Sequence, residues 1–149
     1  MPGTNDTGVI ADPAAVQTGT PRRLRGLART GILAALAAMA ATTLAAGLAT
    51  AVGVDFEIPD GGEAIPLPGF AVVTGFCSVV GIVIALALLR WSARPAERFR
   101  WTAGSLTAIS LVPPFLSGAD TATTAALLGL HLIAAAVMVP ALTRSLRNR

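Results

Sequence analysis

His131 is the residue whose chemistry stands out, because it is the only histidine and lies inside a long apolar run. An ionisable side chain within a membrane span is costly, so a functional site is the first hypothesis to test. A single histidine without a second type of ligand is a poor metal site. We therefore predict a neutral imidazole held by a hydrogen bond, with a ligand-binding or proton-transfer role as the alternative. The expected hydrogen-bond partners are hydroxyl groups of other helices, at Thr74, Ser78, Thr107 or Ser110.

Two consecutive prolines, Pro113 and Pro114, interrupt the third apolar run near its outer end. A proline lacks a backbone donor and frees the carbonyl four residues earlier, here in Ile109 and Ser110. A broken helix in a bilayer can line a polar cavity for a small lipophilic or cationic ligand, or the prolines can simply end the span. The predicted ligand-binding residues of such a cavity are His131, Ser110, Thr124 and Asp120.

The loop from Asp55 to Gly69 separates the first two apolar runs and carries four carboxylates close together. A Gly61-Gly62 turn between prolines predicts a compact, structured loop. Carboxylate oxygens suit a hard cation such as Ca²⁺, but their spacing here does not match the pattern of known Ca²⁺ loops. We therefore predict a solvated acidic loop without a bound metal.

No constellation of residues in the chain is typical of an enzyme. It has no phosphate-binding glycine loop and no nucleophile beside a base. The single Cys77 has no cysteine partner and is expected to pack as a small residue. The sequence predicts no enzymatic activity and no cofactor, and its basic residues form no continuous stripe that would indicate nucleic-acid binding.

The composition is typical of a membrane protein. Hydrophobic residues make up 54% of the chain, charged residues only 13%, and the mean hydropathy is +0.70, whereas soluble domains average about 25% charged residues. About 20 helical residues cross the ~30 Å hydrocarbon core, and four apolar runs approach that length, the third being the shortest. We predict an all-α bundle of four transmembrane helices at residues 31–54, 69–89, 101–117 and 122–142.

The eleven basic residues are all arginines, and they flank the predicted spans on one side only. Four precede the first span, four lie between the second and third, and three follow the fourth. The acidic loop and Asp120 lie on the other side. Positively charged loops stay cytoplasmic, so we predict a multi-pass protein of a bacterial plasma membrane with both termini in the cytoplasm.

The chain divides into two predicted regions, residues 1–26 and residues 27–149. The first is rich in Gly, Pro, Thr and Asp, lacks apolar periodicity and ends in a basic flank, which predicts a disordered cytoplasmic tail. The second is the membrane domain. As an alternative, the first apolar run with Ala49-Thr50-Ala51 resembles a cleavable signal peptide, although the run is longer than such peptides use.

Small residues recur every four positions along the first predicted span, which places them on one helix face. Such faces let membrane helices approach closely, so we predict packing inside the bundle, with homodimerisation through the same face as the alternative. The predicted helix-packing residues are Ala37, Ala41, Ala45, Ala49 and Gly53, with Gly81 and Ala85 on the second span. A neighbouring row consists of Ala38, Thr42, Ala46 and Thr50.

Three short motifs carry a resemblance to a known family. They are Ala64-Ile-Pro-Leu-Pro-Gly-Phe70, the pair Arg90-Trp91, and Leu130-His131-Leu132 followed by Pro140. Over residues 27–146 the chain resembles a family of uncharacterised four-helix integral membrane proteins found mainly in actinobacteria. The resemblance implies a plasma-membrane location and supplies no activity and no functional residues.

The sequence favours a structural or interaction membrane protein that packs with itself or with another membrane protein through its small-residue helix faces. The alternative is a binder or transporter of a small lipophilic or cationic ligand, with the outer cavity near His131 as its site. The two hypotheses differ in whether His131 is needed for function.

Overall fold

The computed structural model describes residues 13–57 and 64–148, and for residues 13–20 it describes the backbone alone. Within these residues the chain is helical, with no strand and one isolated β-bridge in the loop after the first helix. This confirms the predicted all-α class. The helices are α1 (Pro13–Ala51), α2 (Leu67–Trp91), α3 (Pro95–Ser110), α4 (Val112–Leu116) and α5 (Thr121–Arg147).

Three of these helices are long and apolar enough to cross a membrane, namely the Pro21–Ala51 part of α1, α2 and α5. Only 17% to 28% of the residues in their most apolar windows are buried within the molecule. The remaining apolar side chains therefore face outward, where water would solvate them poorly and lipid would solvate them well. The outward-facing apolar surface fits a membrane protein.

The third predicted span is divided in the structure. Where we predicted one span over residues 101–117, α3 ends and the single turn α4 follows. Pro113 and Pro114 explain the division, because neither has an N–H group to continue the helical hydrogen bonds. α3 also begins earlier than predicted, so that its first turns carry the charged residues Glu97 and Arg98. It is not one of the three helices that meet the length and hydropathy expected of a span.

The first helix begins at Pro13, within the region where we predicted a disordered tail. Residues 13–26 are instead helical, and the prediction for residues 1–12 lies outside the described residues. Arg22, Arg23, Leu24 and Arg25 favour a helix directly before Leu27, although Pro21 lies inside α1. The side chain of Leu27 is fully buried, so tertiary packing also supports this part of α1.

The end of α1 differs from the prediction as well. Gly53, predicted as the last member of the helix-packing row, lies beyond the helix with a φ of +96°. A glycine in the left-handed region commonly closes a helix C-terminus, because it lacks a Cβ atom. The N–H of Val54 donates to the carbonyl of Ala49 at 3.0 Å, which completes this closure.

α1 lies between α2 and α5 and packs against both, whereas α3 packs against α5 and α2 and, in the described residues, does not contact α1. One buried core joins the start of α1, the second half of α2, the start of α3 and the end of α5. A second core joins the end of α1, the start of α2 and the first half of α5. The long helices are therefore antiparallel to their chain neighbours.

The two ends of the bundle differ in charge. All arginines of the described residues lie at the end that contains Leu27 and Leu146, which we call the basic end. Asp55, Glu57 and Asp120 lie at the opposite end, which we call the acidic end. The separation of charge that the sequence led us to expect is present in the fold.

Small residues form the buried face of α1. After Leu27, the buried residues are Gly31, Ala34, Ala35, Ala38, Thr42 and Ala46. The predicted packing row lies at the edge of this face, because Ala37 is exposed and Ala41, Ala45 and Ala49 are half-buried. On α2, Ala85 is fully buried and Gly81 is half-buried. The row that α2 and α5 cover is thus the neighbouring one, which includes Ala38, Thr42 and Ala46.

The closest approach of α1 to α2 is at Gly31. A Cβ atom added to this glycine would lie 2.7 Å from Cγ1 and 3.4 Å from Cγ2 of Ile82. Both atoms belong to a β-branched side chain with one strongly preferred χ1 rotamer in a helix. Ile82 therefore cannot move aside without strain or a shift of the helix.

We expect Gly31→Ala to destabilise the protein although alanine favours helices by up to about 1 kcal/mol over glycine. Overpacking of a filled core costs about 1–3 kcal/mol, which is the larger effect. The matched control is Gly47→Ala, because an added Cβ at Gly47 meets nothing within 4 Å. Thermal unfolding in detergent measures both, and Ile82→Ala should relieve the Gly31→Ala defect. Equal stability of the two glycine variants would contradict the close approach.

Candidate functional site

A polar contact joins α1 and α2 between the two buried cores. The hydroxyl groups of Thr42 and Thr74 lie 3.1 Å apart, and Thr42 Oγ1 also lies 2.9 Å from the carbonyl oxygen of Ala38. If Thr42 donates to that carbonyl, the Thr74 hydroxyl donates to Thr42. Hydrogen bonds between helices in a membrane contribute about 0.6 to 2 kcal/mol. This contact sets the register of α1 against α2.

His131 bonds to its own helix. Its Nδ1 atom lies 2.9 Å from the carbonyl oxygen of Leu127, and the side chain is half-buried. A carbonyl oxygen can only accept, so Nδ1 is the donor in this hydrogen bond. The predicted hydrogen bond to a hydroxyl group of another helix is wrong. The backbone carbonyl one turn earlier is closer than any such hydroxyl, which sequence spacing does not reveal.

The other predicted ligand-binding residues are also bonded to nearby backbone. Ser110 donates to the Thr107 carbonyl at 2.8 Å, and Thr124 approaches the Ala119 carbonyl at 3.4 Å. Asp120 accepts hydrogen bonds from the start of α5. In the described part of the chain, no side-chain hydrogen bond joins any two of these three residues and His131, and only the backbone N–H of Thr124 donates to the Asp120 carbonyl, at 2.9 Å. Their shared role in ligand binding stays a prediction.

Asp120 is the N-cap of α5. Its carboxylate accepts from the Thr123 N–H at 3.0 Å and from the Ala122 N–H at 3.2 Å. Hydrogen bonds from the Thr123 side chain, and then from the Thr123 and Ala122 backbone, lower the pKa of the Asp120 carboxyl below its ordinary value. An N-cap carboxylate satisfies otherwise unpaired N–H groups and interacts favourably with the helix dipole. This residue therefore has a structural role that the sequence analysis missed.

We expect Asp120→Ala to lower the unfolding temperature and Asp120→Asn, which retains a capping side chain, to lower it less. Because the pKa of Asp120 is lower in the folded protein, its charge stabilises the fold fully above the ordinary aspartate pKa of about 3.9. This stabilisation is lost as the pH falls through the lower folded-state pKa. Unfolding measured from pH 7 to pH 2 should show the wild type approaching the alanine variant in acid. A constant difference between them would contradict a charged cap.

The acidic loop is anchored by a buried phenylalanine. Phe56 is only 2% exposed, and its ring packs edge-on against Phe70 with 4.9 Å between the ring centroids. The Ile65 N–H donates to the Phe56 carbonyl at 3.2 Å, and Glu57 and Ala64 form a β-bridge. The base of the loop is therefore structured, as predicted. Residues 58–63, with two of its carboxylates, lie outside the described residues.

Phe56 adopts a φ of +52°, a region that residues other than glycine rarely occupy. Burial of the aromatic ring against Ala46, Phe70 and Leu130 offsets this strain. In the sequence, the alternation of Asp55, Phe56 and Glu57 was the available signal that Phe56 faces the core and that the two carboxylates face outward.

Within the described residues, no group of three His, Cys, Asp or Glu side chains could hold a metal ion.

We expect Phe56→Ala to destabilise the protein by about 3–5 kcal/mol, because it leaves a cavity between α1, α2 and α5. The matched control is Phe76→Ala on α2, since the Phe76 side chain is 71% exposed. Denaturant unfolding of both variants in the same detergent measures the difference. Similar losses for the two variants would show that the loop does not pack as described.

Two open grooves lie at the basic end. One, of about 400 Å³, lies between α1 and α5 and is lined by Gly26, Thr30, Ala141, Arg144, Ser145 and Asn148. The other, of about 460 Å³, lies between α2 and α3 and is lined by Leu88, Arg94, Glu97, Arg98, Trp101 and Thr102. The sequence analysis used these arginines only to orient the chain and did not group them into a site.

Within the described residues, the fold defines a class of protein, a small all-helical protein with three helices long and apolar enough to span a membrane. The chain belongs to a family of unknown function, DUF6069, which it matches over residues 22–148. No curated protein matches the chain. No solved structure matches it either. Membership of an uncharacterised family agrees with the resemblance seen in the sequence.

Proposed function

We propose that the chain is a four-span protein of a bacterial plasma membrane, with its basic end in the cytoplasm. The one-sided arginines support this orientation, because positively charged segments stay cytoplasmic. α3 and α4 together would form the fourth crossing. Residues 95–116 would reach about 33 Å at a 1.5 Å rise per residue, of which the part after Arg100 would cover about 24 Å of the ~30 Å core, so this would be the shortest crossing.

We infer that the protein acts by associating with another membrane protein or with a second copy of itself, without enzymatic activity. The observation that carries this inference is the open face of α3. Gly104, Ser105 and Ala108 are all exposed there, and an added Cβ at Gly104 meets nothing within 4 Å. Small residues at this spacing let two membrane helices approach closely enough for dispersion contacts and interhelical hydrogen bonds.

The weak apolar character of α3 supports the same inference. Its outer face carries the small or polar residues Gly104, Ser105 and Ala108 between the exposed side chains of Trp101 and Ile109, whereas α1 and α2 expose mainly leucine and valine. A partner helix can pack closely against such a surface and hydrogen-bond to its hydroxyl group, whereas lipid tails cannot form that hydrogen bond. The face that α3 turns away from α5 and α2 is therefore the one best suited to an assembly contact.

We expect Gly104→Leu to weaken association in lipid at least tenfold, because its side chain separates the partner helices. Gly81→Leu is the matched control, since Gly81 on α2 also has nothing within 4 Å of an added Cβ. The measurement is oligomeric state in lipid nanodiscs or vesicles, with cross-linking through Ser105→Cys in a Cys77→Ser background. The native Cys77, which is exposed on α2, provides the reference for random collision.

Three results would overturn the proposal. The first is that the protein is strictly monomeric in lipid and that no other membrane protein is bound to it and lost in the Gly104→Leu variant. The second is equal cross-linking through Ser105→Cys and Cys77. The third is an equal loss of association in the two leucine variants, which would show a general effect of added bulk.

A further inference from the structure

The groove between α2 and α3 combines charge, an aromatic ring and an apolar wall at one place. Arg94 and Arg98 supply the charge, Trp101 the ring, Thr102 a hydroxyl group and Leu88 the apolar wall. Because the groove lies where α2 ends and α3 begins, it sits at the basic end, at the depth of the lipid headgroups in the proposed topology.

The lining residues of α3 are held by a buried neighbour. Phe99 is packed in the core of the basic end, which fixes the rotation of α3 about its axis. Positions 97 and 98 are followed three or four residues later by positions 101 and 102, so the four share a helix face away from Phe99. The Arg94 N–H approaches the Ser92 hydroxyl at 3.3 Å, within the short turn that joins α2 to α3. The groove is therefore part of the folded bundle.

The groove has an excess of positive charge. Glu97 pairs with Arg94, with 3.6 Å between the nitrogen and oxygen atoms. Among the described residues Arg98 makes no salt bridge, so its guanidinium group remains available. A guanidinium group presents several donors in a planar fork that matches phosphate oxygens.

We propose that this groove binds the phosphodiester of an anionic phospholipid of the inner leaflet. Arg98 holds the phosphate, with Arg94 and the Thr102 hydroxyl beside it, and an acyl chain follows Leu88 into the bilayer. Trp101 lies at the headgroup level, where tryptophan is the usual interfacial anchor. Basic pockets between spans on the cytoplasmic side suit anionic headgroups. The proposal rests on the topology given above.

The groove between α1 and α5 fits such a lipid less well. Among the described residues, its lining contains one arginine, Arg144, and no aromatic residue. The α2–α3 groove is the one that offers both an unpaired guanidinium and an interfacial anchor.

The test measures lipid retention by the full chain. The protein is purified from nanodiscs of phosphatidylcholine with phosphatidylglycerol, and native mass spectrometry counts the lipids that remain bound. We expect preferential retention of phosphatidylglycerol, and about a fivefold loss of that preference in Arg98→Gln. This corresponds to about 1 kcal/mol, the typical contribution of one arginine near an anionic membrane.

Arg100→Gln is the matched control. Arg100 is exposed on the same helix and its loss changes the net charge equally, but it does not line the groove. Unfolding temperatures of both variants establish that folding is unchanged. Equal losses of phosphatidylglycerol in the two variants, or no preference over phosphatidylcholine in the wild type, would overturn the proposal. Displacement of the lipid by inorganic phosphate at equal concentration would assign the groove to a free anion instead.

A parallel labelling experiment separates this proposal from the topology. Ser92→Cys in a Cys77→Ser background should be reached by a membrane-impermeant thiol reagent only in inverted membrane vesicles. Labelling of Ser92→Cys from the outside of intact cells would contradict the topology. The lipid retention of the Arg98 and Arg100 variants would still measure binding in the groove. Correct labelling with equal lipid loss in both variants would contradict the lipid site alone.

Discussion

The close approach of α2 and α5 to α1 is the constraint on which the rest of the structure depends. Membrane helices gain little from the hydrophobic effect when they associate, because lipid tails are as apolar as leucine. They must instead come close enough for dispersion contacts along their length. Gly31 and the buried alanines of α1 permit this on the two sides at once, and the Thr42–Thr74 hydrogen bond aligns α1 with α2.

This central position of α1 determines the character of the other helices. α2 and α5 each turn one narrow face toward α1 and a wide apolar face outward. α3 has no share in the contact with α1 and packs on the far side of the bundle. As a result, its small and polar residues stay uncovered within one molecule. α3, which is not among the helices long and apolar enough to span a membrane, exposes these residues, and the proposed assembly role rests on them.

The two ends of the bundle are built in different ways. At the acidic end, Phe56 closes the bundle by entering the core between α1, α2 and α5 despite an unfavourable backbone conformation. At the basic end, Phe99 fixes the start of α3 and leaves arginines and Trp101 at the surface. One end is thus sealed by an aromatic ring, whereas the other carries exposed arginine and tryptophan side chains.

The sequence by itself determined the helical class, three of the spans and the one-sided placement of the arginines. Long apolar runs and charge distribution are properties of local composition, so they can be read without any tertiary contact. Composition also showed that Pro113 and Pro114 would interrupt the third run. It did not reveal that α1 begins as early as Pro13, where packing of Leu27 adds to local helix preference.

Only the tertiary structure decided which faces and groups meet. The two small-residue rows of α1 differ by one position, a rotation of about 100°, and only the placement of α2 and α5 chooses between them. The bond from His131 to Leu127, the cap at Asp120 and the burial of Phe56 depend on atomic distances that spacing does not specify. The grouping of Arg98 with Leu88 across two helices likewise exists only after folding, because close approach in space is not encoded by proximity in the chain.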